Sequence, residues 1–261
     1  MNAVIIIPVY KSNPSDLEEK SITSITSVLT KRRILFVAPF GLDISAYKKF
    51  QLPFEFFHPS FFSSISGYNR LLMSIEFFKR FSDYSHMLIC QTDTWVFRDE
   101  LDNWMQLSYD YIGSPIQGKD GTWMPYGGNG GFSLRNIEAS LRVLKKWRIM
   151  DSPKNVWKEH QKFHNWSGLL LRSPIILARM AGYRNNSLNF VKEFGNNEDV
   201  FWSVWAAQIY KGFRVAPFSE EIAFGFDRFP QELFEKNHQQ LPFGCHAWEK
   251  NYDNFWKNFI H

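Results

Sequence analysis

Cysteine is scarce in this chain: 261 residues contain only Cys90 and Cys245. Two thiols exclude a disulfide framework and a multi-cysteine metal site. An excess of one charge is missing too. Thirty Lys and Arg stand against 26 Asp and Glu, a formal net charge of +4. With no clustered basic stripe, a strongly basic nucleic-acid binder is excluded, although a basic cleft for an anionic ligand is not. No window reaches the ~18 apolar residues of a membrane-spanning helix. The opening segment MNAVIIIPVYKSN has no basic n-region, and its apolar run ends at Val9 with Pro8 inside it, so it does not read as a secretory signal. A cytoplasmic protein is therefore expected. Glycine is absent from Val9-Tyr-Lys-Ser-Asn-Pro14, which counts against a nucleotidyltransferase phosphate loop. No GxSxG elbow supports a serine hydrolase.

What is abundant is aromatic: 26 Phe, 10 Trp and 10 Tyr make 18% of the chain. Most such rings belong in a core, where they bury the largest apolar areas. Trp and Tyr also offer a flat face and a polar tip, which suits stacking on sugars or bases. With 44% hydrophobic and 21% charged residues, the chain is not disordered. Its length suits one α/β domain.

Val4 to Pro8 is a short, continuous, β-branched run, the pattern of a strand buried on both faces of a parallel sheet. Leu17 to Arg33 has near-helical apolar spacing. Ile34 to Ala38 reads as a second strand, Phe54 to Phe57 as a third and Met87 to Gln91 as a fourth, with a helix over Tyr68 to Phe81. Strands alternating with helices predict a mostly parallel α/β sheet. Beyond residue 110 the pattern loosens. Tyr111 to Pro115 and Gly131 to Leu134 read as strands. Asn136 to Trp147 reads as a helix with its cap near Asn136 or Ser133, and Asp199 to Lys211 as another, opened by acidic residues. The C-terminal segment Trp248 to His261 mixes rings with Lys250 and Lys257. It reads either as an amphipathic helix touching a membrane surface or as a terminal helix docked on the core.

Four groups carry chemistry. Cys90-Gln-Thr-Asp93 follows a buried strand directly, and ligands of open parallel sheets bind at carboxyl strand ends. A carboxylate there suits a hard divalent cation that bridges phosphate oxygens. Gly127-Gly-Asn-Gly-Gly-Phe-Ser-Leu-Arg135 has four glycines in five positions, which permit close backbone approach or positive φ. Gly195-Asn-Asn-Glu198-Asp199 puts two carboxylates at a helix start, about 100° apart, so one can act as general base while the other orients a hydroxyl. Pro242-Phe-Gly-Cys-His246-Ala-Trp248 offers one histidine as a metal ligand.

Taken in order, Ile7-Pro-Val-Tyr10, Gln91-Thr-Asp93-Thr-Trp-Val-Phe, Tyr109-Asp-Tyr-Ile-Gly-Ser-Pro115, Gly128 to Arg135, Asn197-Glu-Asp-Val-Phe-Trp202 and Phe243-Gly-Cys-His246-Ala-Trp248 resemble a GT-A-type glycosyltransferase. The set is most similar to the DUF5672-type bacterial proteins. The resemblance implies one GT-A-like, Rossmann-related α/β domain with a mostly parallel central sheet flanked by helices. A nucleotide-binding half would run to about 110 and an acceptor half over about 111–261. It implies a nucleotide-sugar donor, UDP-sugar by default, and an oligosaccharide or glycolipid acceptor in surface polysaccharide, lipopolysaccharide or capsule synthesis. Transfer would occur with inversion, at the inner face of the membrane or in the cytoplasm.

By the same resemblance Asp93 and His246 would hold Mn²⁺ or Mg²⁺. Pro8, Val9 and Tyr10 would lie along base and ribose, and Arg70 would meet phosphate or ribose. Gln91, Thr92, Gly128, Asn129, Gly130 and Gly131 would line the donor. Asp199 would be the base, with Glu198 second. Gln91 stands where the usual motif has a first Asp, and an amide is a poor ligand for a hard cation. A catalytically inactive carbohydrate- or nucleotide-binding protein of the same fold is the alternative.

Overall fold

The computed structural model describes residues 2–118 and 120–261. Its main sheet has six strands: β1 (Ala3–Pro8), β2 (Arg33–Pro39), β3 (Phe54–Phe57), β4 (His86–Cys90), β6 (Tyr111–Ser114) and β7 (Asn129–Asn136), in the order β3-β2-β1-β4-β7-β6. The first four in that order are mutually parallel, and β7 alone runs against both its neighbours. A second, small sheet joins β5 (Trp95–Val96), β9 (Gly244–Cys245) and β8 (Gly225–Phe226).

The apolar runs become strands because both sheet faces are covered. Ile5, Ile7, Phe36, Leu88 and Cys90 face one way and pack with Ile22 and Ile25 of the helix Asp16–Val28. Val4, Ile6, Leu35, Met87 and Ile89 face the other way, against Phe77, Phe78 and Trp202. Each such buried side chain contributes about 1.5–3 kcal/mol, so slipping a strand by one residue would not expose a polar face but would disrupt packing on two sides.

Sequence periodicity overran two helix boundaries. The first helix ends at Val28, and the chain turns before β2 begins at Arg33. The stretch Tyr68 to Phe81 is two helices, Ile65–Leu72 and Ile75–Arg80. Ser74 breaks them because its side chain accepts from Phe77 N and caps the second helix. Asn136 caps Ile137–Lys145 in the same way through Ala139 N.

The C-terminal segment is not an amphipathic helix. It forms two 3₁₀ turns, Trp248–Asn251 and Trp256–Asn258. Its rings point inward: Trp248, Phe255 and Trp256 are buried around the small sheet with Phe226 and Cys245. Trp248 Nε1 donates to Ser21 Oγ at 2.8 Å, and Trp256 stacks on Phe97. These rings have no face left for a membrane. Among the described residues no helix is long and apolar enough to cross a membrane.

Candidate active site

Strand order reverses between β1 and β4, and at that switch point a cleft of about 830 Å³ opens over the carboxyl ends of the strands. Pro8 ends β1 at the cleft and Tyr10 lies just beyond it, and Gln91, Thr92 and Asp93 follow β4. Val9 lies between them but faces the core, 1% exposed, since successive strand residues alternate sides.

The turn after β4 is built from backbone bonds. Gln91 N donates to Gly131 O at 2.9 Å and Thr94 N to Gln91 O at 2.9 Å. Thr92 Oγ1 donates to Glu18 Oε1 at 3.1 Å. Glu18 closes a capping box with Ser15 and also takes Lys11 Nζ at 3.0 Å. Burial raises a carboxyl, but Ser15, Lys11 and Thr92 outweigh it and hold Glu18 below the usual range.

His246 comes to this turn from β9, anchored by His246 N donating to Phe226 O at 2.8 Å. Its Nε2 lies 3.1 Å from Gln91 Oε1 and 3.3 Å from Asp93 Oδ1. Its Nδ1 lies 3.1 Å from Asp227 Oδ1. Burial lowers an imidazole, yet Asp227 and Asp93 outweigh that and lift His246 to about 9. Asp93 is shifted the opposite way: burial raises it, but His246 holds it below the usual range.

The four glycines divide their work. Gly127 and Gly128 have φ of +113° and +106°, the region a side chain rarely enters. Gly130 and Gly131 provide close approach instead. A Cβ on Gly130 would sit 2.0 Å from Glu198 Oε1, and one on Gly131 would sit 2.2 Å from His246 Nε2. Gly128 does not line the cleft, whereas Asn129, Gly130 and Gly131 do.

The adjacent carboxylates have different fates. Glu198 is buried against the fully buried Arg135. Nη2 donates to Oε1 at 2.8 Å, and Nη1 lies 2.8 Å from Oε2. Burial pushes the Glu198 carboxyl up while Arg135 pulls it down. Glu198 is thus ion-paired to Arg135 while it also lines the cleft. The ion pair suits Glu198 to a positioning role beside Asp199. Asp199 is half-buried and lines the cleft. Its Oδ1 accepts from Val200 N at 2.7 Å. Burial raises it above the usual range, which suits a general base. The chain then passes through a π-helical turn, Phe201–Trp205, of a kind frequent near functional sites.

Arg70 does not reach the cleft. It is exposed and donates to Ser66 Oγ at 3.3 Å. On the same helix Tyr68 and Asn69 line the cleft, and Arg70 is turned about 200° from Tyr68. Asn69 Nδ2 reaches across to Asn197 Oδ1 at 3.4 Å. Tyr68, Asp227 and Arg135 are members that sequence reasoning missed. The Gly-Phe-Asp227 triplet was the available signal, but its two-residue strand has no readable period.

The donor set can be tested for a cation. Gln91 Oε1, Asp93 Oδ1 and His246 Nε2 converge, and Asp227 orients the imidazole from its far nitrogen, as an outer partner of a metal-bound histidine does. Among the described residues no three His, Cys, Asp or Glu side chains alone form a metal site. The set would hold an ion only with the Nε2 proton of His246 displaced, since a metal-bound imidazole is neutral, and the ion would need further oxygen ligands beyond these three.

No curated protein matches the chain. Among solved structures, mouse xyloside xylosyltransferase 1 (apo form) is similar at 11% identity, over 94% of this chain and 97% of that one, with a TM-score of 0.48. The galactosyltransferase LgtC in complex with donor and acceptor sugar analogs is 12% identical over 93% and 86%, with a TM-score of 0.44. A glycosyltransferase involved in glycosylation of the major capsid of PBCV-1 is 12% identical over 94% and 93%, with a TM-score of 0.43. The family described as "Protein of unknown function (DUF5672)" matches residues 51–246, and the chain belongs to that family.

Proposed function

We propose that the cleft transfers a sugar from a nucleoside diphosphate sugar to a hydroxyl of a saccharide or glycolipid acceptor. The observation that carries this reading is the pairing of Asp93, at the end of β4, with His246, delivered from β9. Asp199 faces the same space from the other wall. The residues up to about 110 hold the base and ribose, and those beyond it hold the acceptor and complete the diphosphate end through His246 and Lys250.

Pro8 and Tyr10 form the rim on which base and ribose rest. Gln91, Asp93 and His246 would hold Mn²⁺ or Mg²⁺ against the diphosphate, where such an ion supplies charge stabilisation for the leaving group. Lys250, exposed at the cleft rim, adds a cation on the same side. The Gly130–Gly131 backbone, which lets Glu198 and His246 approach, lines the same space as the donor sugar. Asp199 accepts the proton of the acceptor hydroxyl, which frees its oxygen to attack the anomeric carbon from the face opposite the diphosphate. Inversion is the expected outcome, and UDP-sugars are the first donors to try. A surface polysaccharide is the acceptor class that fits the family resemblance.

The test is incubation with a panel of nucleotide sugars and simple glycoside acceptors, with Mn²⁺, Mg²⁺ or EDTA. Release of nucleoside diphosphate with a new glycoside of inverted anomeric configuration is the expected result. Retained configuration would remove Asp199 as base. Binding without any transfer would replace the enzyme reading with that of a carbohydrate- or nucleotide-binding protein.

A further inference from the structure

Residues 153–180 form a helical hairpin whose outer surface is left uncovered among the described residues. Its helices are Pro153–Phe163 and Trp166–Met180. They pack chiefly on each other, through a small cluster of Val156, Leu169 and Ile176 separate from the main core. The hairpin is stapled at its base. Ile149 bridges Asn186, Met150 N donates to Asn185 O, and Asn185 Nδ2 donates to Asp151 O at 2.9 Å.

The outer side is apolar. Phe163 is 74% exposed, Trp166 77%, Leu170 77%, Leu171 83% and Leu177 64%. At 100° per residue Trp166, Leu170 and Leu177 fall within about 40° of arc, and Leu171 widens that stripe. Burying these chains is worth more than anything their present exposure returns.

The charge on the hairpin favours one occupant. It carries Lys154, Lys158, Lys162, Arg172 and Arg179 against the single acid Glu159, a formal +4. That equals the net charge of the whole chain, so the rest of the sequence is balanced. Arg179 is paired with Glu159 at 3.0 Å. Lys154, Lys158, Lys162 and Arg172 are exposed. A second copy on this face would bring two such charges together.

We infer that this hairpin is a docking surface for an anionic phospholipid bilayer, lying in the interface with Trp166, Leu170 and Leu171 in the acyl boundary and the lysines among the headgroups. The surface stands apart from the transfer chemistry, since none of these residues lines the cleft.

The full chain is floated with vesicles of phosphatidylglycerol or of phosphatidylcholine. The wild type should float with phosphatidylglycerol at low salt, float far less with phosphatidylcholine, and lose binding as salt rises. The combined variant Trp166→Ser, Leu170→Ser, Leu171→Ser should bind ~100-fold more weakly. Lys158→Glu with Lys162→Glu should lose the lipid preference. Both variants should keep the wild-type melting temperature, because the altered side chains are exposed. Failure of the wild type to float, or equal floating of wild type and serine variant, overturns the inference. So does a wild-type dimer that the serine variant converts to monomer, which would assign the face to a second copy. Nucleotide binding is measured on the same samples, so a loss of donor affinity would count against the cleft and not against the hairpin.

Discussion

On the wall of the cleft built from residues up to Thr94, groups are placed chiefly by main-chain bonds, with the Lys11–Glu18–Thr92 side chains beside them. The Gln91–Asp93 turn hangs from Gly131 O and from its own Thr94 N–H, and β1 delivers Pro8, with Tyr10 just beyond its end. On the wall after Gly127, groups are placed by buried charge. Arg135 holds Glu198, Asp227 holds His246, and two glycines clear space for both. Main-chain bonds survive side-chain substitution and changes of pH. A buried charge does not, because removing one partner strands the other without solvent. The contrast separates Glu198 and Asp199, neighbours in sequence: one is buried and ion-paired with Arg135, and the other faces the cleft half-buried.

The contrast breaks most severely at Arg135. Arg135→Ala should cost about 3–5 kcal/mol in urea unfolding, since Glu198 is left buried and unpaired. The paired change Arg135→Met with Glu198→Leu should recover most of that loss. A cost under about 1 kcal/mol for the single variant would show that charge does not hold this wall.

Glu221 sharpens the same point through pH. It is fully buried in the helix Phe218–Phe224, neither carboxyl oxygen has a hydrogen-bond partner among the described residues, and burial lifts it to about 8 against the pull of the nearby Gly127 amide. Its unfolded value is about 4.3, so the native state holds the proton more tightly. The linked stability is complete below about pH 4.3 and is lost as pH rises through about 8. Glu221→Gln should remove a few kcal/mol of this decline, read from urea midpoints of both proteins at either end of that window. Parallel pH profiles for the two would discard the buried neutral acid.

Asp199→Asn separates role from scaffold. Transfer should fall ~10²-fold with the melting temperature nearly unchanged, and the acidic limb of the rate profile should vanish with the carboxyl. Glu198→Gln should instead lower stability. Arg70→Ala is the smallest effect: with the side chain in solvent, stability should stay within about 0.5 kcal/mol and donor affinity should not move. A clear loss of nucleotide affinity would return Arg70 to the site.

The front wall was legible because its strands are buried on both faces: Val4 to Pro8 and Ile34 to Ala38 are unbroken apolar runs, and Asp93 follows such a run directly. The back wall was legible only as residue types. His246, Asp199 and the glycines stood out, but the Arg135–Glu198 pair joins residues 63 apart, a distance no local pattern reports. Asp227 sits behind a two-residue strand, too short for any period. The helix after Tyr68 was overrun because apolar spacing continues through Ser74, where capping, a single side-chain bond, decides the break. Rings in the C-terminal segment carry the same pattern whether they face lipid or core, and only the small sheet they cover decides between them.

The central claim is that Asp93 and His246 form the diphosphate end of a nucleotide-sugar site. The most direct test is the thermal shift of the wild type and Asp93→Ala with UDP, GDP, CMP and TDP and their sugars, each with Mn²⁺ or EDTA. Ligand that binds the native state raises apparent stability by mass action. One nucleotide series should raise the wild-type melting temperature in Mn²⁺, and Asp93→Ala should lose that increment. The absence of a shift with every nucleotide, or an equal shift in both proteins, would contradict the claim.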